Sequence, residues 1–336
     1  MKVCPACGSR QILAPKFSVS ASEAAQHFVL AEEDGRRHAE LETHIIALWG
    51  GEKCVVVECV ECKLGFAWPF VAGDARFYNL AYPHSDYPRE KWEFSRTAKA
   101  LETCETDGKR ALEIGSGFGY FLDTIVPRFF TPSNVVAIEY NQTSGRRLTA
   151  RGYKLVNEDI RSPRFERLHG EFDFLFMFQV LEHMDQLDRL FERLMQVAKP
   201  AADLFIAVPN ALRIEFNETH DSLIDMPPNH ISRWSPVSFA KMADRHGIKI
   251  IREQREPMSW GSFVRQDLVY AHMRRAQRSG SIANRLRSMR RGRIRRKLEA
   301  LFALLAGPTR IPGWIEAAKL NNKLGGSHWI HLKLPA

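Results

Sequence analysis

The sequence predicts an α/β protein: a doubly wound, mostly parallel sheet preceded by a small β module. Three observations carry this expectation. From Arg110 onward, short apolar runs alternate with helical stretches, which is the texture of βαβ units. A glycine-rich turn, Gly115-Ser116-Gly117-Phe118-Gly119, follows the first of these runs. Four of the six cysteines form two Cys-x-x-Cys pairs ahead of the α/β region.

The chain has 336 residues, which suggests about two domains. Apolar residues make up 45% and charged residues 26%, near the globular averages of ~45–50% and ~25%. That balance excludes low complexity and wholesale disorder. The longest apolar run is 300–306, far short of the ~20 residues that span a bilayer. Residues Met1 to Pro5 offer no apolar core for a signal peptide, so a cytoplasmic, reducing setting is expected.

The strand candidates are 111–114, 135–139, 172–178, 204–208, 248–252 and 328–334. Between Asp185 and Ala198, Leu187, Leu190, Phe191, Leu194, Met195 and Val197 fall on one helical face. The organisation read from these patterns is a zinc-ribbon-like module at 1–80, an aromatic connecting or lid segment at 81–108, and a core at 109–260. A basic helical insertion at 261–326 and a final core strand within 327–336 complete it.

Cys4-Pro-Ala-Cys7-Gly8 and Cys59-Val-Glu-Cys62-Lys-Leu-Gly65 can each grip a metal ion through two thiolates. Gly8 and Gly65 can take the positive-φ conformation that lets backbone N–H groups reach sulfur. Two such grips, Cys4, Cys7, Cys59 and Cys62, make a tetrahedral site suited to Zn2+. Four thiolates leave no open position, so the expected role is structural. Cys7 and Cys59 are farther apart in sequence than in compact ribbons, so hairpins are expected between them. Cys54 reads as a strand residue and Cys104 as a plain thiol.

The glycine turn lets backbone N–H groups approach a ligand closely. Twenty residues after Gly119, Glu139 ends a strand, placed to accept from two ribose hydroxyls. Twenty more residues on, Asp159 could hold an adenine amino group and Ile160 pack on the ring. The buried run 172–178 leads into Gln179-Val180-Leu181-Glu182-His183. All these groups fall at carboxyl ends of strands, where open α/β sheets bind ligands. Position 120 is Tyr, so the turn is G-x-G-x-G and not the dinucleotide G-x-G-x-x-G, which argues against a nicotinamide enzyme.

The segments LEIGSGFGYFL, VVAIEYN, NEDI, FDFLFMFQVLEHM and LFIAVPN resemble, in order and spacing, successive motifs of class I S-adenosylmethionine-dependent methyltransferases. The resemblance covers roughly residues 90–260 plus the final strand. It implies a Rossmann-like, seven-stranded sheet whose last strand, at 328–334, is antiparallel. It also implies S-adenosylmethionine as cofactor. Carried over by position, Glu113, Gly115, Gly117 and Gly119 surround the methionine part and Glu139 binds ribose. Asp159 and Ile160 contact adenine, Gln179 lies beside the cofactor, and Tyr120, which follows the turn, joins the cofactor-binding set. Ser116 stands where many members have Cys.

The cysteine pairs, then Tyr82, Tyr87 and Trp92-Glu-Phe94, then Pro227-Pro-Asn-His230-Ile-Ser-Arg-Trp234, resemble bacterial methyltransferases acting on sugars or other small polar metabolites. No Asn/Asp-Pro-Pro-Tyr follows the fourth strand, which argues against N-methylation of adenine. Transfer is expected to oxygen or carbon. Zinc-bearing ribosomal RNA guanine methylases are a rival family. A different class of reading is a non-catalytic interaction module built from a zinc ribbon and a degenerate methylase fold; the intact glycine turn and both acidic cofactor positions argue against it.

Oxygen as acceptor atom needs a base, because a sugar hydroxyl is too weak an acid to ionise unaided. His183 follows the fourth strand and His230 lies in a Pro-rich loop after the fifth; either can serve, with Glu182 orienting a histidine or binding substrate. Tyr82, Tyr87 and Trp92 can close over the cofactor or pack between domains.

The net charge of +9 is concentrated in one place. Eleven basic residues and no acidic one lie between Met273 and Lys297, so the rest of the chain is close to neutral. This run suits a solvated helix, or a surface for phosphates or anionic membrane, since the apolar stretch 298–305 follows it. The last alternative implies a location peripheral to the inner face of the membrane. RNA is a weaker fit, because no aromatic stacking groups are interleaved within the run.

Overall fold

A computed structural model describes residues 2–12, 15–82, 88–163, 165, 168–220, 224–289, 292–320 and 322–336. Tyr87, Arg290 and Arg291 lie outside the described residues. The strands are β1 (Phe17–Ser20), β2 (Lys53–Glu58), β3 (Gly65–Trp68), β4 (Ala111–Ile114), β5 (Val135–Ile138), β6 (Lys154–Val156), β7 (Phe172–Phe178), β8 (Ala198–Pro209), β9 (Ser232–Arg233), β10 (Lys249–Arg255) and β11 (Ser327–Lys333).

Seven strands form the main sheet in the order β10-β11-β8-β7-β4-β5-β6. β4, β5, β6, β7 and β8 run parallel, and β11 is antiparallel to both β8 and β10. The sheet is doubly wound and mostly parallel, with the antiparallel strand at the expected place. β4 feeds β5 on one side while β7 lies on its other side, so the topological switch point falls between β4 and β7. Ligands of open α/β sheets bind at that crevice.

Side-chain alternation divides the sheet between two cores. Leu112, Ile114, Val136, Ile138, Leu175, Met177, Leu204 and Ile206 face one. Ala111, Val135, Ala137, Phe174, Phe176, Phe178, Phe205 and Trp329 face the other. The helix Leu187–Val197 buries Leu187, Leu190, Phe191, Leu194 and Val197 on the first core, on the face its periodicity predicts. Met195 packs at the margin of the same core. Truncating a fully buried Leu such as Leu190 would cost about 2–5 kcal/mol.

The N-terminal region departs from expectation between the cysteine pairs. Helices Ala21–Phe28 and Gly35–Trp49 occupy the segment where hairpins were expected. Ser20 and Glu23 form a capping box on the first helix. Asp34 caps the second, whose buried His38, Leu41, Ile45 and Trp49 repeat at helical spacing. The four-stranded antiparallel sheet β1-β2-β3-β9 takes its last strand from Ser232–Arg233, far along the chain. Cys4, Cys59, Cys62 and Phe66 belong to the same core as Ile114, Phe191 and Trp234, so this region is seated on the main sheet.

The segment before β11 is helical: Trp260–Ala276, Ile282–Ser288, Arg293–Leu305 and Ile311–Lys319. Asp267 anchors it by accepting from Arg310 and from Trp314 Nε1. No described helix is long and apolar enough to cross a membrane.

Candidate active site

The glycine turn leaves the carboxyl end of β4 with Gly115, Gly117 and Gly119 all at positive φ. A Cβ on Gly115 would lie 2.4 Å from Val180 Cγ2, and one on Gly119 2.6 Å from Leu148 Cδ2. Space and backbone conformation both require glycine at these two positions. The amides of Gly115 and Ser116 donate to Ile138 O, holding the turn against the end of β5.

Glu139 stands one residue beyond β5. Its Oε2 accepts from Gly117 N at 2.7 Å and its Oε1 from Asn141 N at 2.8 Å. Each oxygen keeps a further lone pair. Burial holds its pKa above the usual carboxylate range although these backbone donors oppose the shift. Glu113, on β4, is buried with Oε2 unpartnered. Burial pushes its pKa up to about 8, against the Ser116 hydrogen bond and the charge of Lys91. A buried carboxylate with a bare oxygen suits a ligand that carries an ammonium group.

The remaining predicted cofactor residues follow the ends of β4, β6 and β7 in the chain. Tyr120 opens the next helix with Arg89 and Arg151 over its ring. Ile160 is fully buried. Asp159 accepts from the backbone N and the guanidinium of Arg161. Burial alone would raise the Asp159 pKa, but these bonds lower it. Arg161 also reaches Asp185; this buttress went unread in the sequence. Gln179 takes φ +57° and donates through Nε2 to Glu93 and Ser327 Oγ.

Glu182, His183 and His230 come together although 47 residues separate the two histidines. The rings of His183 and His230 stack edge to face with centroids 4.6 Å apart. His183 Nδ1 lies 2.7 Å from Asn229 O and 3.2 Å from the Tyr78 hydroxyl. His230 Nδ1 lies 2.6 Å from Asp225 Oδ1. Burial disfavours charge on His230, but the Asp225 bond and charge prevail and raise its pKa. Burial pushes Glu182 up to about 7, against the positive field of His230. Lys91 favours ionisation of both Glu113 and Glu182, which links the cluster electrostatically to the glycine turn. Asp225, Tyr78 and Asn229 carry no periodic or spaced signal, so sequence reasoning passed over them as partners of the histidines.

The four predicted thiols also converge. Cys4 Sγ lies 3.4 Å from Cys62 Sγ, and Cys7 Sγ 3.6 Å from Cys59 Sγ. Four sulfurs about 2.3 Å from one zinc ion would stand roughly 3.8 Å apart, so the thiols fit such an ion. Gly8 takes positive φ as expected, but in the second pair Lys63 does so and Gly65 does not. Gly65 is paired with Arg233 in the sheet, and a Cβ there would lie 3.0 Å from Arg233 Cδ; close approach is what requires glycine. Cys54 is buried in β2 and Cys104 follows the helix Trp92–Leu101.

Trp92 packs against the second core. Tyr82 contacts Phe28 and Tyr78 within the N-terminal region. Of the basic run, Arg295 is buried among Glu299, Met289 O and Glu33. Arg293, Arg296 and Lys297 are exposed.

Residues 89–253 match the family profile described as a methyltransferase domain. No curated protein matches the chain. Solved structures with a similar outline include an S-adenosylmethionine-dependent methyltransferase from Archaeoglobus fulgidus, 16% identical, covering 77% of this chain and 100% of that one, with a TM-score of 0.46. Another, from Mesorhizobium loti, is 11% identical over 73% of this chain and 100% of its own, with a TM-score of 0.45. A third, from Aquifex aeolicus, is 19% identical over 48% of this chain and 82% of its own, with a TM-score of 0.37. The sheet order, the glycine turn and the matched profile make this segment a class I methyltransferase domain.

Proposed function

We propose that this S-adenosylmethionine-dependent methyltransferase methylates a hydroxyl oxygen of a small polar acceptor, a sugar or glycan precursor. The observation that carries the reading is the cluster of Glu182, His183 and His230 beyond the carboxyl ends of β7 and β8. A hydroxyl needs help to lose its proton near neutrality, and a positioned histidine is the commonest helper. His183 keeps 23% of its side chain exposed, so an acceptor can reach it.

The cofactor is assigned to the turn after β4 because of Glu113 and Glu139. The bare Oε2 of Glu113 is a partner for the methionine ammonium, and the spare lone pairs of Glu139 are acceptors for ribose hydroxyls. Gly115, Gly117, Gly119 and Tyr120 line the methionine side in this assignment. Asp159 and Ile160 take adenine, and Gln179 borders the cofactor. When bound, the cofactor supplies a methyl group already activated on a sulfonium. The residues of the chain align the acceptor oxygen with it and remove the hydroxyl proton.

In this reading Cys4, Cys7, Cys59 and Cys62 hold one structural zinc ion that fixes the 1–80 module on the 109–260 and 327–336 core. Residues 81–108 link the two. The 261–326 insertion supplies a contact with anionic membrane. Ile294, Lys297, Leu301, Leu304 and Leu305 form one exposed stripe of the helix Arg293–Leu305, with basic residues beside it. That combination suits peripheral binding near a lipid-linked acceptor.

Transfer of radiolabelled methyl groups to nucleotide-sugars, lipid-linked sugars and bulk RNA, compared side by side, tests the acceptor class. Labelled sugar is the expected product. Label found in RNA alone would overturn the reading.

A further inference from the structure

We propose that Glu182, His183 and His230 hold a divalent transition-metal ion. One donor atom from each side chain lies within 4.8 Å of the others. His183 Nε2 and Glu182 Oε1 are 3.7 Å apart, too far for a hydrogen bond. That separation is within the roughly 4 Å that two ligands can span at about 2.0–2.1 Å from one ion. A small side-chain rotation brings the widest separation into the same range.

The hydrogen bonds behind the cluster select the tautomer that a metal needs. Asn229 O can only accept, so its 2.7 Å partner, His183 Nδ1, carries the proton. The Asp225 carboxylate does the same to His230 Nδ1 at 2.6 Å. Both Nε2 atoms can then offer lone pairs. Carboxylate and carbonyl partners behind histidine ligands are the usual outer shell of a metal centre.

Glu182 provides the second, independent observation. It is 1% exposed, and neither carboxylate oxygen has a hydrogen-bond partner. Burying a carboxylate without a partner is unfavourable, and a cation held by the two histidines supplies that partner. The set of two imidazoles and one carboxylate favours zinc, iron(II) or manganese over magnesium. Three protein ligands leave positions open, unlike the closed four-thiolate site at the N-terminal module.

The role of the ion rests on the O-methylation reading. An acceptor hydroxyl bound at an open position would lose its proton more readily, as metal-bound water does. The proton passes to solvent, and an oxygen lone pair forms the new bond to the methyl carbon. The carbon–sulfur bond breaks with its electron pair left on sulfur, giving the neutral thioether.

Cobalt(II) titration of the full-length, metal-stripped chain distinguishes the two sites by colour. Thiolate ligation produces intense sulfur-to-cobalt charge-transfer absorption, whereas nitrogen and oxygen ligation produces only weak d–d bands. The wild type is expected to take two equivalents, one of each kind. Cys4→Ser with Cys62→Ser should lose the charge-transfer equivalent and keep the other. Glu182→Gln, which preserves shape, and His230→Gln should weaken the other equivalent by at least ~10-fold and keep the charge-transfer one, whose retention also reports folding. A wild type that binds only the charge-transfer equivalent, or variants that bind both unchanged, would overturn the site. S-adenosylhomocysteine binding in the same samples separates the two claims. Intact binding with no second cobalt overturns the metal site alone. A second cobalt in a chain that binds no S-adenosylhomocysteine supports the metal site and overturns the cofactor assignment.

Discussion

Asp225 Oδ1 accepts from His230 Nδ1 at 2.6 Å, and His230, His183 and Glu182 each bring one donor atom within 4.8 Å of the others. The loop after β8 is tied to the turn after β7 by His183 Nδ1, 2.7 Å from Asn229 O. His230→Ala and His183→Ala should each lower turnover at saturating acceptor by ~10²–10⁴, the range for losing a group that helps the acceptor shed its proton, whether as base or as ligand of the ion. Affinity for S-adenosylhomocysteine should hold as the control. Near-normal turnover in both variants would point to an acceptor carbon or nitrogen that is already nucleophilic.

Glu113 makes cofactor binding pH-dependent. Its pKa is raised from an ordinary 4.5 to about 8 in the ligand-free protein, so at pH 7 it is largely protonated. A raised carboxyl pKa contributes stability below 4.5 that is lost as pH rises through about 8. An ammonium group beside Glu113 would favour the ionised form and expel the proton. Calorimetric titration with S-adenosylhomocysteine at pH 7, in buffers of different ionisation enthalpy, should therefore show proton release. Glu113→Gln should abolish that release. Equal heats across the buffers, or proton uptake, would remove Glu113 from the ammonium site.

The cysteine site should account for one zinc ion per chain. Metal analysis of Cys4→Ser with Cys62→Ser should show that ion missing, with a lowered melting temperature, since structural zinc stabilises the fold that it closes. Unchanged zinc content and melting temperature would place the zinc elsewhere.

The stripe that includes Ile294, Leu301 and Leu304 should bind vesicles containing anionic lipid, more weakly as salt screens the basic residues beside it. Sedimentation at two salt concentrations checks this. Ile294→Ser with Leu304→Ser should reduce binding at both. Equal binding to neutral vesicles would contradict a charge-assisted contact, and no binding to either would leave the helix as a solvated one.

Much of the catalytic half could be read along the chain because its signals are local. β4 and β7 begin and end where their apolar runs do. The 3.6-residue spacing of Leu187, Leu190, Phe191 and Leu194 is carried by one uninterrupted helix. β6 escaped notice because it is three residues long and leaves Lys154 exposed. The N-terminal helices were masked by flanking Gly and charged residues, although Asp34 and Gly50 mark the ends of one. β9 has two residues and exists only because Gly65 and Phe66 pair with it. Arg161 between Asp159 and Asp185 and Asp225 behind His230 depend on tertiary placement, to which periodicity is blind.

The central claim is that the turn after β4 and Glu139 together bind S-adenosylmethionine. Calorimetric titration of wild type and Glu139→Ala with S-adenosylhomocysteine tests it most directly. The variant loses a carboxylate that holds Gly117 N and Asn141 N and that we propose accepts from the ribose hydroxyls. Binding should weaken by about 2–3 kcal/mol, the scale of hydrogen bonds to a charged group. Equal affinity in the two proteins, or no binding to the wild type, would contradict the account.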